Sequence, residues 1–249
     1  MKGEAHEAKS GYSGRLLVRA VMRAMLYPAC AALCDLQLSG RENLPEEGPL
    51  LVAFNHFSFV DPAVILRAIP GPIEFLGGMQ TPNAPPQLRW IIGLWGYLPV
   101  QRGTGARAAL RAALDLLRQR GVVGIAPEGG AGAAILRPAR PGTAYLAVKS
   151  EARVLPVGID GAPQVFPRLR KGRLARVTVR IGKPVGPFQV SGRGREQRQQ
   201  LDEIGHAIMR RIADLIPRER RGYYSQDLVL RGEAERLAYH WDAEPEIAG

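Results

Sequence analysis

His56 and Asp61 stand five residues apart in the run Asn55-His56-Phe57-Ser58-Phe59-Val60-Asp61. An imidazole with a carboxylate to orient it is the least equipment that can take a proton from a hydroxyl. Asp61 also has a structural reading, because an aspartate followed by Pro62 suits the start of a helix. The two roles are compatible, since one carboxyl oxygen can cap while the other accepts from His56. His56 can equally be a hydrogen-bonded junction residue, so spacing alone leaves both readings open.

Three further clusters follow. Gly96-Tyr97-Leu98-Pro99-Val100-Gln101-Arg102 brings one arginine to the end of a short apolar segment. A guanidinium fixed there can grip a phosphate through two parallel bonds; alone, it reads as a surface arginine. Ile125-Ala126-Pro127-Glu128-Gly129-Gly130 ends an apolar run. Its glycines can expose backbone N–H groups that cradle an anion. Glu128 can orient an arginine or bind a substrate hydroxyl, and a plain strand-ending turn reads as well. Val154-Leu155-Pro156-Val157 carries no chemistry and shapes an apolar wall. His206 is isolated on a long helix and reads as a surface or packing residue.

Several chemistries find no support. Gly103-Thr104-Gly105-Ala106-Arg107-Ala108 loosely fits a dinucleotide loop, but no acidic residue follows at the required distance and Pro99 sits in the preceding segment. No Gly-x-Ser-x-Gly elbow is present, which disfavours a serine nucleophile. The four histidines have no partner at metal-ligand spacing. Cys30 and Cys34, the only cysteines, sit one turn apart in an apolar stretch and read as reduced core thiols.

The elements that must position these residues alternate between strand and helix. Residues 50–54 and 122–126 read as buried strands and 73–76 and 154–159 as further strands, with 36–39 and 177–181 alternating in polarity. The second of these alternating runs is expected nearer a sheet edge. Residues 61–69, 106–120, 142–150 and 196–216 read as helices, 88–94 as a short apolar helix, and 81–86 as a Pro-rich loop. This order predicts an α/β domain with a mostly parallel sheet covered on both faces. Sites in such sheets lie at the carboxyl ends of strands, where His56 and Glu128 both fall.

The chain has 249 residues, 46% of them hydrophobic and only 6% aromatic, so the core is mostly aliphatic. Its formal charge of +11 attracts phosphate, whether on nucleic acid, an anionic membrane or a small substrate. Nucleic acid is the least expected partner, because no recognisable module or interleaved aromatics occur. The first ten residues are polar and unlike a secretion signal. Arg15, Arg19 and Arg23 recur every fourth residue as a basic stripe, with Leu16, Leu17, Val18, Val21, Met22, Met25 and Leu26 on the remaining faces. The uncharged run 24–34 is too short to span a bilayer and contains Pro28. The basic stripe beside apolar faces suits an amphipathic helix lying in a membrane interface, with an ordinary packed surface helix as the alternative. The expected organisation is an N-terminal helix region over 1–35, a main domain over 36–220, and a polar, loosely docked tail over 221–249.

The four clusters, in this order, resemble the motifs of the glycerolipid acyltransferase family that makes phosphatidic acid: the PlsC-like, or 1-acyl-glycerol-3-phosphate acyltransferase, group. Its Asn-His-x4-Asp pattern matches Asn55, His56 and Asp61. Its Gly-x-Ile-x-Val-x-Arg block is similar to residues 96–102, with Leu98 for Ile. Its Phe-Pro-Glu-Gly-Thr-Arg-Ser block matches at Pro127, Glu128 and Gly129, and its apolar-Val-Pro-Val block at residues 154–157. The resemblance implies that His56 is a general base oriented by Asp61. An acceptor hydroxyl then attacks the thioester of acyl-CoA or acyl-carrier protein directly. It also implies acceptor binding by Arg102, Glu128 and Gly129, with Asn55, Gly130 and Pro156 in support. No cofactor or metal is implied, and the expected location is the cytoplasmic face of a membrane. The chain departs from the family where Gly130, Ala131 and Gly132 replace Thr-Arg-Ser. Arg137 or Arg140 is a candidate replacement for the missing arginine. The departure leaves room for another lyso-lipid acceptor, such as an aminolipid or one with a larger head group. Transacylation between phospholipids and a non-catalytic anionic-lipid-binding protein are the remaining readings. Oligomeric state is not legible.

Overall fold

The computed structural model describes residues 2–77, 89–100, 104–130 and 132–243. The strands are β1 (Cys34–Ser39), β2 (Leu50–Phe54), β3 (Ile73–Gly77), β4 (Leu98–Pro99), β5 (Val122–Ile125), β6 (Arg153–Asp160) and β7 (Ala175–Ile181). They form one sheet in the order β1-β7-β6-β2-β5-β3-β4. Every neighbouring pair is parallel except β6 with β7. The expected α/β architecture is therefore present. β7 lies one strand in from the edge, with β1 outside it. The expected loop 81–86 lies outside the described residues.

The helices are α1 (Lys2–Leu33), α2 (Asp61–Ala68), α3 (Arg89–Trp95), α4 (Thr104–Arg118), α5 (Pro141–Ser150), α6 (Val165–Leu169), α7 (Arg195–Ala213) and α8 (Leu228–Ala243). β2 shows how the two layers arise. Alternate side chains leave opposite faces of a strand. Leu50, Val52 and Phe54 join a core that includes Ile65, Ile73 and Val177, beneath α1, α2 and α3. Leu51 and Ala53 join Leu117, Leu146, Ile208 and Met209, beneath α4, α5 and α7. A strand buried on both faces must be apolar throughout, which is why residues 50–54 show no alternation. β7 alternates because only Ala175, Val177, Val179 and Ile181 point inward.

α1 passes through Pro28 without ending. Met22, Leu26 and Leu33 pack on the core, and Cys30 is buried, so tertiary contact maintains the helix where proline weakens it. Cys30 and Cys34 are free thiols, and burial pushes Cys34 up to about 11, which keeps it protonated at neutral pH.

Arg19 and Arg23 of the arginine stripe are turned inward, contrary to a basic face directed at a membrane. Arg19 is only 6% exposed. It pairs with Glu74 and donates from Nε to the Trp95 carbonyl at 2.8 Å. Arg23 donates to the carbonyls of Leu66, Ile69 and Gly71 at the end of α2, where a helix leaves acceptors unsatisfied and favours a cation. The side chain of Arg15 lies outside the description. The outward face of α1 is apolar: Leu17, Val21, Met25 and Tyr27 are all more than half exposed. Trp90, Ile91 and Leu94 of α3 are exposed as well, and α3 packs against α1.

Candidate active site

The site forms where β2, β5 and β6 end together. Asn55, the first residue past β2, is fully buried. Its Nδ2 donates to the Ile159 carbonyl at 2.8 Å and its Oδ1 accepts the Ile159 N–H at 2.7 Å. This side chain substitutes for a ladder pair and ties the end of β2 to the end of β6.

His56 follows immediately. Its Nδ1 lies 3.0 Å from Asp61 Oδ2, which also accepts the Ser58 N–H at 2.7 Å. Asp61 is the first residue of α2, with Val60 at the N-cap. Its Oδ1 has no hydrogen-bond partner among the described residues and its Oδ2 faces His56 and Ser58, so it makes no capping bond to that helix. Its carboxylate turns back into the 56–61 turn, so the capping explanation fails and the imidazole pairing stands. Asp61 is fully buried, while the His56 side chain retains 20% exposure. A carboxylate on Nδ1 holds the proton there and leaves the lone pair on Nε2. Burial pushes the Asp61 carboxyl above its ordinary value, against the bond from His56 and the N–H groups of Ser58 and Phe57.

Glu128 follows β5 and is 1% exposed. Its Oε1 accepts the His56 N–H at 3.3 Å and its Oε2 accepts the Arg137 N–H at 3.0 Å. The Arg137 Nε lies 3.7 Å from the same Oε2, and its Nη2 donates to the Gly130 carbonyl at 2.6 Å. Of the two roles open to Glu128, these contacts are those of a residue orienting an arginine. Burial raises the Glu128 carboxyl, and the charge and N–H of Arg137 pull it down.

Gly129 holds φ +82°, a left-handed conformation that favours glycine. A Cβ there would lie 3.1 Å from Cγ of Arg140, so that arginine's stem crosses over the glycine. The two candidate replacements for the missing arginine thus differ. Arg137 is 3% exposed and committed to Glu128 and Gly130, whereas Arg140 is only half-buried. Pro156 lies within β6 opposite Ala53, buried in the sheet rather than at its end. Arg102 lies outside the described residues. The segment leading to it is placed by β4 and by a Val100 N–H bond to the Gly77 carbonyl at 2.8 Å.

Sequence reasoning missed a brace behind the site. The Leu136 N–H donates to the Arg220 carbonyl and the Tyr223 N–H to the Leu136 carbonyl, each at 2.9 Å. Tyr224 OH accepts the Ala139 N–H at 3.0 Å and lies 2.9 Å from His206 Nδ1. A Cβ on Gly222 would come within 2.2 Å of the Leu136 carbonyl oxygen. Residues 220–224 are therefore built into the domain and hold the loop that carries Arg137. The sequence signal was the pair Tyr223-Tyr224 with Gly222, adjacent aromatic anchors beside a glycine.

Residues 35–160, half of the chain, match the protein family described as Acyltransferase. The fold is also similar to the crystal structure of the 1-acyl-sn-glycerophosphate (LPA) acyltransferase PlsC from Thermotoga maritima. The two are 25% identical, with a TM-score of 0.53 over 79% of this chain and 80% of that one. The paired His56 and Asp61 at the end of β2, the sheet that places them and the family match over the same residues lead to one conclusion: this chain belongs to the acyltransferase family, in its PlsC-like group.

Proposed function

We propose that the chain transfers a fatty acyl group from acyl-CoA or acyl-carrier protein to the free hydroxyl of a lysophospholipid, with 1-acyl-glycerol-3-phosphate as the leading acceptor and phosphatidic acid as product. The observation that carries this reading is the His56–Asp61 pair, which leaves Nε2 available to a hydroxyl. His56 Nε2 takes the hydroxyl proton as the oxygen attacks the thioester carbonyl. The C–S bond then breaks, and the leaving thiolate takes the proton from the imidazolium. The step needs no covalent acyl-enzyme and no cofactor. Asp61 keeps the imidazole in the required tautomer and supports its positive form.

The exposed apolar side chains of α1 and α3 support peripheral attachment at the cytoplasmic face of a membrane. Among the described residues, no helix is long and apolar enough to cross a bilayer.

A second acceptor class is favoured by one observation. Gly130, Ala131 and Gly132 replace the family's Thr-Arg-Ser, and Arg137 is turned inward. A lyso-aminolipid, or a lysophospholipid with a larger head group, fits a site with less fixed positive charge. Mass spectrometry of products from several lyso-acceptors, each with acyl-CoA and acyl-carrier protein, separates these readings. His56→Ala should abolish every acylated product while the chain stays folded. Full activity in that variant would sink the mechanism.

A further inference from the structure

Between Asp160 and Glu196 the chain carries nine Lys and Arg residues and no acidic one. Much of the net charge of +11 is therefore concentrated in the connection from β6 to β7 and the segment that follows. The densest part is the turn after α6, which holds Arg168, Arg170, Lys171 and Arg173, all exposed. None of these four makes an ion pair among the described residues. Leu169 and Leu174 alternate with them and are 37% and 46% exposed.

The turn is held in shape by its backbone. Arg170, Lys171, Gly172 and Arg173 donate to the carbonyls of Phe166, Arg168, Leu169 and Arg168, and Gly172 holds φ +65°. A cleft of about 420 Å³ lies beside it, lined by Asp35, Gln164, Arg168, Leu174 and Arg176.

Its position matters as much as its charge. β6 runs parallel to β2, and β7 returns antiparallel with Asp160 opposite Thr178. The connection therefore lies at the same end of the sheet as His56. Phe166 of α6 stacks on Phe59 of the 56–61 turn, with centroids 5.4 Å apart.

We propose that the Arg168–Arg173 turn is a second membrane contact, one that reads anionic phospholipid head groups through its cations and inserts Leu169 and Leu174. It would bring the His56 end of the sheet to the lipid surface. This rests on the acceptor being a membrane lipid, as proposed above. Cations near an anionic leaflet each contribute without a minimum contact area. An acidic protein partner would instead need roughly 800 Å² on each side, more than one short turn offers. Lipid is therefore the favoured occupant.

The test uses the purified full chain and sedimentation with two kinds of vesicle: phosphatidylcholine alone, and phosphatidylcholine mixed with phosphatidylglycerol. Arg170→Gln with Lys171→Gln should weaken partition onto the anionic vesicles roughly thirtyfold, about 1 kcal/mol per cation removed. Binding to phosphatidylcholine alone should not change. Leu169→Ser with Leu174→Ser should weaken both. Acyl transfer to a monomerically dispersed acceptor should be unaffected in either variant. Unchanged partition of the glutamine variant onto anionic vesicles overturns the proposal. So does unchanged partition with a raised KM for acyl-carrier protein, which would assign the cations to the donor. Loss of anionic-vesicle binding in a chain that makes no acylated product would leave this surface standing and remove the proposed reaction instead.

Discussion

Glu128 holds His56 by its backbone. The carboxylate accepts the His56 N–H at 3.3 Å with one oxygen and the Arg137 N–H at 3.0 Å with the other. The end of β5 thereby braces the turn whose ring is aimed by Asp61. The general base is fixed twice, through its peptide and through Nδ1. Only Nε2 is left for chemistry.

This relationship predicts how Glu128 fails. Glu128→Ala removes the carboxylate that faces the buried Arg137 guanidinium and takes the acceptor from the His56 and Arg137 N–H groups. Removing one partner of a buried pair costs about 3–5 kcal/mol. Denaturant unfolding should show that loss, and activity should fall with it through kcat. A variant that kept full stability and changed only the KM for the acceptor would instead make Glu128 a substrate contact.

Asp61→Asn separates charge from shape. An asparagine cannot hold the Nδ1 tautomer as a carboxylate does, so kcat should fall roughly 10³-fold. Stability should move the other way with pH. Burial raises the Asp61 carboxyl in the folded chain above its unfolded value. The folded state therefore keeps its proton to higher pH than the unfolded one, and this group's contribution to stability falls as pH climbs from the unfolded carboxylate range through the folded value. The asparagine lacks that dependence. Its stability relative to the parent should rise across that window, and melting curves at several pH values would read it. A relative stability that fell with pH would show the carboxylate to be net stabilised.

Tyr224→Phe tests the brace. The ring's packing is retained and only the hydroxyl that accepts from Ala139 is lost. An unsatisfied donor in a partly buried loop costs about 1–3 kcal/mol. Hydrogen exchange of residues 132–140 should quicken more than that of β2 or β6. Uniform quickening would mean that the tyrosine supports the whole domain rather than this loop.

Much of the site was legible because it is local. His56 and Asp61 belong to one turn, so the sequence offers the pairing, although spacing alone leaves it level with a helix cap. β2 was legible as an unbroken apolar run because both of its faces are covered. What escaped depends on distant partners. Arg19 and Arg23 share a helix face, but periodicity does not say which face turns inward. Their acceptors lie 43 to 76 residues away, at the end of α2, in Glu74 and at the Trp95 carbonyl. The hydroxyl of Tyr224 meets a peptide 85 residues earlier in the chain. Arg137 meets Glu128 from nine residues further along the chain, through a contact that no spacing pattern marks.

The inward stripe gives α1 a specific signature. Arg19→Ala should lower stability, since it strips a part-buried Glu74 of its partner and frees the Trp95 carbonyl. It should leave partition onto phosphatidylcholine vesicles unchanged, because the guanidinium does not face outward. Leu17→Ser with Met25→Ser should do the reverse. These side chains are 72% and 65% exposed, so the fold loses little. The bilayer would lose two apolar groups, each giving about 1–2 kcal/mol when buried, and binding should weaken at least tenfold. Vesicle sedimentation beside thermal melts of the same two variants would read both effects. A helix that bound lipid through its arginines would give the opposite pattern, with Arg19→Ala releasing the chain from vesicles and the serine pair leaving it bound.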